Sequence, residues 1–342
     1  MNYFIVLAAL FMFNVCNADT QCPVVSKTSP TDRRKDTSVV RLVQYNVEWF
    51  FIDYYANADC PGNNCSWHNA TEANTHLTYV ANVVKELNPD IMNLCEVEGC
   101  DELGMLIKNV SPDYNPYLIK GADTSTGQNA GMITKIDPIR DLYRTEERVN
   151  YPIPNSKCGY TGAPGNSGVS KHYITEFSIN DMDIVMIGAH LLAYPTDTER
   201  CAQREAQAQV LQNVIIGYHK KNYDIIVLGD FNDFDGEVLD SNNNKPISQV
   251  LDILKGNMGM YAGEYELSNS AEKMPQSERY SDWWDKNGDC KSVPTEFSKI
   301  DHILVTPRIQ DKIVGQFIYT GYAEFCGTYN SDHYPVVIDI KI

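Results

Sequence analysis

Five apolar runs rich in β-branched residues carry an acid, an amide or an imidazole at one end. In chain order these ends are Tyr45-Asn46-Val47-Glu48, Leu94-Cys95-Glu96, Leu228-Gly229-Asp230-Phe231-Asn232-Asp233, Lys299-Ile300-Asp301-His302 and Ser331-Asp332-His333-Tyr334-Pro335, the last feeding the run Val336 to Ile340. A strand that is apolar along its length and polar at its tip suits a sheet buried on both faces. Singly, each polar residue reads as a cap or a turn. Their recurrence in order reads as one site assembled from many strand tips.

The intervening segments alternate strand with helix. Val39 to Val47 is a strand, and Leu77, Val80, Ala81, Val84 and Leu87 fall at helical spacing until Asn88-Pro89 stops them. Ile91 to Cys95, Met132 to Thr134, Tyr173 to Ile179, Ile184 to Ala189, Asp224 to Leu228, Ile300 to Val305 and Val336 to Ile340 read as further strands. Ala202, Ala206, Val210, Leu211, Val214 and Ile215 make a second helical face. Such alternation predicts an α/β fold. No Pro/Gly/Ser linker divides the chain, so residues 39–342 read as one domain behind a polar leader at 19–38. Gly159, Gly162, Gly165 and Gly168 recur every third residue and read as a mobile loop.

The first eighteen residues read as a secretory signal, apolar from Tyr3 to Val15 with Cys16-Asn17-Ala18 as the cleavage point. No other stretch is apolar enough to span a bilayer. Removing Cys16 leaves nine cysteines without a Cys-x-x-Cys knuckle, so disulfides are expected and the odd count leaves at least one thiol free or paired between chains. Cys60 with Cys65 and Cys95 with Cys100 could each close a short loop. Asn64, Asn69 and Asn109 begin glycosylation sequons. Together these features predict a secreted glycoprotein, with delivery to a lysosomal or other digestive compartment as the alternative. The formal charge of -17 argues against a groove that grips nucleic acid by basic charge alone. It leaves room for a metal-dependent enzyme, because a bound cation supplies local positive charge.

Carboxylates and carboxamides are hard oxygen ligands suited to Mg²⁺, Mn²⁺ or Ca²⁺. Asn46, Glu48, Glu96 and Asp332 would hold such an ion if their strand tips converge. Asp230 and Asn232, two apart, would point to one side of an extended strand end, one for water and one for phosphate. His333 could act as a base or stabilise developing charge, oriented by Asp301, and His190 could protonate a leaving oxygen or bind phosphate. Tyr54-Tyr55 and Trp283-Trp284 are aromatic pairs suited to stacking or to a membrane surface.

Carried by Gln44 to Glu48, Leu94 to Glu98, Gly188 to Leu191, Gly229 to Asp233, Ser298 to His302 and Ser331 to Val336, the chain resembles the endonuclease/exonuclease/phosphatase superfamily, whose fold is deoxyribonuclease-I-like. Arg204 to Ala208 and Asp123 to Gln128 look most like its secreted nuclease branch. The resemblance implies a four-layer sandwich of two facing sheets flanked by helices. It implies a metal region at Asn46 and Glu96 with Glu48 and Asp332 nearby, water and phosphate oriented by Asp230 and Asn232, Asp301 paired with His333, and His190 on the phosphate. The implied activity is Mg²⁺-dependent hydrolysis of nucleic acid, DNA first and RNA second, with Mn²⁺ as an alternative ion, a structural Ca²⁺ left open and no obligate protein partner. A sphingomyelinase-like or phosphoinositide phosphoesterase acting on phospholipid head groups is the runner-up, and a non-catalytic binding module is the third reading. Cys95 stands where the family often has Gln, which leaves open a disulfide beside the metal region, and the loop at 53–71 has no family counterpart.

Overall fold

Strand β1 (Val39–Phe50) shows how the sequence sorts its side chains. Val40 and Leu42 enter one core cluster, while Val43, Tyr45 and Val47, on the opposite face, join another with Leu77, Val80 and Val84. The structure, a computed structural model, describes residues 22–25, 30–52, 65–322 and 328–342. The signal segment 1–18, Tyr54-Tyr55, Cys60, Asn64 and Cys326 lie outside the described residues.

After β1 come α1 (Ala70–Leu87), β2 (Ile91–Val97), α2 (Cys100–Val110), β3 (Asn115–Leu118), β4 (Asn129–Thr134), β5 (Val149–Tyr151), β6 (Gly165–Ser167), β7 (Lys171–Ile179) and β8 (Met182–His190). They are followed by α3 (Thr198–His219), β9 (Asp224–Asp230), α4 (Val250–Lys255), β10 (Ser268–Asn269), β11 (Asp282–Trp283), β12 (Phe297–Ser298), β13 (Asp301–Val305), α5 (Pro307–Gln310), β14 (Ile313–Ile318) and β15 (Val336–Lys341). One sheet has the order β14-β15-β1-β2-β4-β3 and the other β10-β13-β9-β8-β7. Leu42, Met132, Tyr173, Met186, Leu228, Ile303 and Ile338 form the core between them. Helix α1 covers the first sheet through Val80, Val83 and Val84, and α2 does so through Leu103 and Leu106. Helices α3 and α4 cover the second sheet through Val210, Leu211, Leu251 and Leu254. The expected α/β sandwich of two facing sheets flanked by helices is the fold observed.

Local chemistry explains the element ends. Asn69 caps α1 by accepting from the Thr71 and Glu72 amides, and Asn88, in left-handed backbone at φ 46°, ends it before Pro89. Asp197 caps α3 by accepting from the Arg200 amide. The leader is not loose where it is described: Asp32 bridges to Ile136, Arg33 pairs with Asp137 at 2.6 Å, and Cys22 is bonded to Cys100.

Two expectations are corrected. Cys95 does not close a loop with Cys100, because Cys95 is a free buried thiol facing the space between the sheets while Cys100 lies at the start of α2 and pairs with Cys22. The glycine-spaced segment is anchored: β6 pairs with β5, and Cys158 is bonded to Cys201 of α3.

Candidate functional site

His190, Asp230 and Asp301 lie side by side on β8, β9 and β13, in register across one end of the second sheet. Gly229 makes this row close, since its φ of 155° and its approach to the Ala189 carbonyl leave no room for a side chain. Across the gap stands Asn46, whose Nδ2 donates to Asp230 Oδ2 at 2.9 Å and to Glu96 Oε1 at 3.2 Å and lies 3.4 Å from His333 Nε2. His333 Nδ1 donates to Asp301 Oδ2 at 2.8 Å. Asp230, Asp301 and His333 are buried close enough together to share an ion.

Backbone strain aims several of these groups. Strict alternation would turn Glu96 towards the helices, because its neighbour Cys95 faces between the sheets. The register of β2 shifts between Cys95 and Val97, and Glu96 sits at φ 67°, which turns its carboxylate into the site. There it accepts from the Trp49 amide at 2.9 Å and from Gln128 Nε2 at 2.8 Å. Glu48, at φ 49°, follows a matching shift in β1 and accepts from Ser66 Oγ at 2.7 Å and from the Asp332 amide at 3.2 Å. Asn232 is not on an extended strand end as expected: at φ 49° it turns back, its amide donates to Asp230 Oδ1 at 2.9 Å, and its Nδ2 donates to the Leu191 carbonyl at 3.2 Å. Each such residue costs roughly 1–3 kcal/mol, and clustering of that strain is typical of functional sites.

The electrostatics are lopsided. Burial, then the charge of Asp332, pushes the Glu48 carboxyl well above its ordinary range. Burial and Asp301 raise Asp230 to about 7. Burial, joined by Asp282 and Glu96, outweighs the pull of His333 and raises Asp332 to about 7. Burial opposes charge on His333, but Asp301 and Asp332 outweigh it and hold the imidazole well above its usual value. His190 goes the other way, depressed by burial and by Lys171. Among the described residues, the buried Asp332 Oδ1 has no hydrogen-bond partner. Crowded carboxylates with an orphaned oxygen are a donor set that suits a hard divalent cation.

Three contributors lie outside the expected site residues, although Arg204 opens the Arg204 to Ala208 motif. Lys171 opens β7 with its Nζ 3.2 Å from Gln128 Oε1 and 3.5 Å from His190 Nε2. A signal for it exists in the sequence, since Lys171 shares the parity of Tyr173. Asp282 Oδ1 lies 3.7 Å from His333 Nε2, and no sequence pattern marks it. Arg204, fully buried on α3, pairs with Asp233 at 3.1 Å and donates to the carbonyls of Leu192, Ala193, Tyr194 and Pro195, fixing the segment after His190. Trp283 is buried, whereas Trp284 is exposed.

The model of the Endonuclease/Exonuclease/phosphatase family matches residues 43–333, a span that contains every residue of this site. The chain belongs to that family. No curated protein matches it. Among solved structures, an AP endonuclease from Archaeoglobus fulgidus is similar with TM-score 0.57 at 13% identity, covering 89% of this chain and 100% of that one. TDP2 from Caenorhabditis elegans gives TM-score 0.54 at 15% identity, covering 89% and 74%. A mannosyl-6-phosphatase from Bacteroides thetaiotaomicron gives 0.52 at 17% identity, covering 87% and 98%. At these identities the likeness is one of fold, and it accords with a family of hydrolases acting on phosphoester bonds.

Proposed function

We propose that the chain is an exported, Mg²⁺-dependent phosphodiesterase that hydrolyses nucleic acid, DNA first, by direct attack of water on phosphorus. The observation that carries this reading is the Asp301–His333 pair facing Asp230 and Asn46 within one strained, carboxylate-rich cluster. Asn46, Glu48, Glu96 and Asp332 would hold the ion, which when bound polarises a phosphoryl oxygen and offsets charge in the transition state. Asp230, fixed by Asn46 and the Asn232 amide, orients the attacking water, and Asn232 orients the phosphate. His333, aligned by Asp301, meets the negative charge that develops on the phosphoryl oxygens. Burial and Lys171 oppose a charge on His190, which favours a hydrogen bond to phosphate over protonation of a leaving oxygen. Export after cleavage at Ala18 belongs to the same reading, and the Cys22–Cys100 and Cys158–Cys201 disulfides support it.

A second reading, a phosphoesterase on phospholipid head groups, is favoured by Trp284, 67% exposed and directly following β11, which carries Asp282. Supercoiled plasmid, incubated with purified protein with and without chelator, tests the first: nicking lost on chelation is expected, and nicking that survives it sinks the metal mechanism. Turnover of sphingomyelin vesicles without nicking would replace nucleic acid by lipid as the substrate.

A further inference from the structure

We infer that Gln44, Asn93 and Tyr173 are positioning residues for His333, linked to it by a hydrogen-bond chain that crosses the space between the sheets. The inference rests on His333 acting in phosphoester hydrolysis. Tyr173 OH, on β7, donates to Asn93 Oδ1 at 2.7 Å. Asn93 Nδ2, on β2, donates to Gln44 Oε1, and Gln44 Nε2, on β1, donates to Asp301 Oδ1 at 3.0 Å. Asp301 Oδ2 in turn accepts from Ser281 Oγ at 2.9 Å and from His333 Nδ1 at 2.8 Å.

Every donor in this chain points the same way. The Asp301 carboxylate can only accept, so it sets which end of the Gln44 amide faces it, Gln44 sets which end of Asn93 faces Gln44, and the Tyr173 hydroxyl donates to the Asn93 oxygen that remains. Asp301 therefore meets a donor on each oxygen, and its plane is fixed before His333 binds to it. Gln44, Asn93 and Tyr173 are buried, where an unsatisfied amide is costly, so the chain has little freedom to rearrange. Space for it is built in: a side chain at Gly188 would overlap both Asn93 Oδ1 and the Tyr173 ring. Cys95 closes its flank, with Sγ 3.7 Å from Gln44 Nε2. These residues touch neither the phosphate side of His333 nor the carboxylates of Glu48 and Asp332, so they act through Asp301.

Gln44→Met, which keeps length and removes the donor, tests the chain. The expected result is a fall in kcat of about 10–100-fold, the size typical of outer residues that orient a catalytic one, with KM and the Mg²⁺ requirement unchanged. In a His333→Ala background the same substitution should cost nothing more, because the path it supports is gone. Wild-type kcat in Gln44→Met, or an equal further loss in the His333→Ala background, overturns the inference. Tyr173→Phe, which leaves the buried ring in place, gives the same readings if Gln44→Met does not fold. The hydrogen-bonded Nδ1 proton of His333, followed by NMR, should shift in either variant; an unmoved resonance overturns the inference without reference to activity. Wild-type protein that hydrolyses no phosphoester would instead defeat the functional reading, and the NMR result would still judge the chain.

Discussion

His333 stands where the contacts of the site cross, with Asp301 on Nδ1 and Asn46, Asp230, Asp282 and Asp332 around Nε2. Replacing it by alanine should lower kcat by about 10²–10⁴-fold, the range for a positioned proton-transfer or charge-stabilising group. Far-UV circular dichroism should stay near wild type, and wild-type-like turnover would remove His333 from its assigned role. Much of this constellation was legible in the sequence, because acids and imidazoles seldom gather at so many strand tips unless the tips share a site. The aim of Glu96 was not legible, since it depends on a register shift that alternation cannot foresee. Asp282 was hidden for a different reason: it reaches His333 through a two-residue strand that leaves no periodic trace.

Among the elements, α3 couples packing to the site through Arg204. Its guanidinium binds Asp233 and four consecutive carbonyls, so it ties the segment after His190 to the segment after Asp230. Arg204→Met leaves Asp233 buried without its partner, and breaking a buried pair in this way costs about 3–5 kcal/mol. Urea unfolding should show that loss, and a change under about 1 kcal/mol would mean the pair is dispensable. The edge of the first sheet gives a pH prediction. Burial alone would raise the Asp137 carboxyl, but hydrogen bonds from Arg33, Asn115 and the Thr31 amide hold it down at about 2. A depressed folded value stabilises above the unfolded value of about 4, and that stabilisation is lost as pH falls through the folded one. Between about pH 4 and 2, Asp137→Asn should therefore lose less stability than wild type, and parallel acid profiles would contradict it. Long periodic elements such as α1 and α3 could be read from the sequence. Helix α2 could not, because Gly104 interrupts it and Gly99 offers no capping side chain.

At the scale of the whole molecule, the site works against the fold that holds it. Glu48 and Asp230 are buried, Asp332 beside Glu48 is half-buried, and all three carboxyls are pushed upward, so the metal-free protein bears an electrostatic cost at one end of its sandwich. A cation that binds only the native state would relieve this, stabilising by about 2.7 kcal/mol at a hundredfold excess over Kd. Mg²⁺ added to chelator-treated protein should accordingly raise Tm. Glu48→Gln should act in the opposite pattern, because removing one carboxylate lessens the repulsion while weakening the ion's hold. The variant should melt higher than wild type without metal, by a difference of about 0.5–2 kcal/mol, and gain less from Mg²⁺. Calorimetry of the two proteins with and without the ion decides the matter. A Glu48→Gln protein that is less stable than wild type without metal, or that gains the same increment from Mg²⁺, would show that Glu48 is a structural acceptor for Ser66 and the Asp332 amide and not part of a cation site.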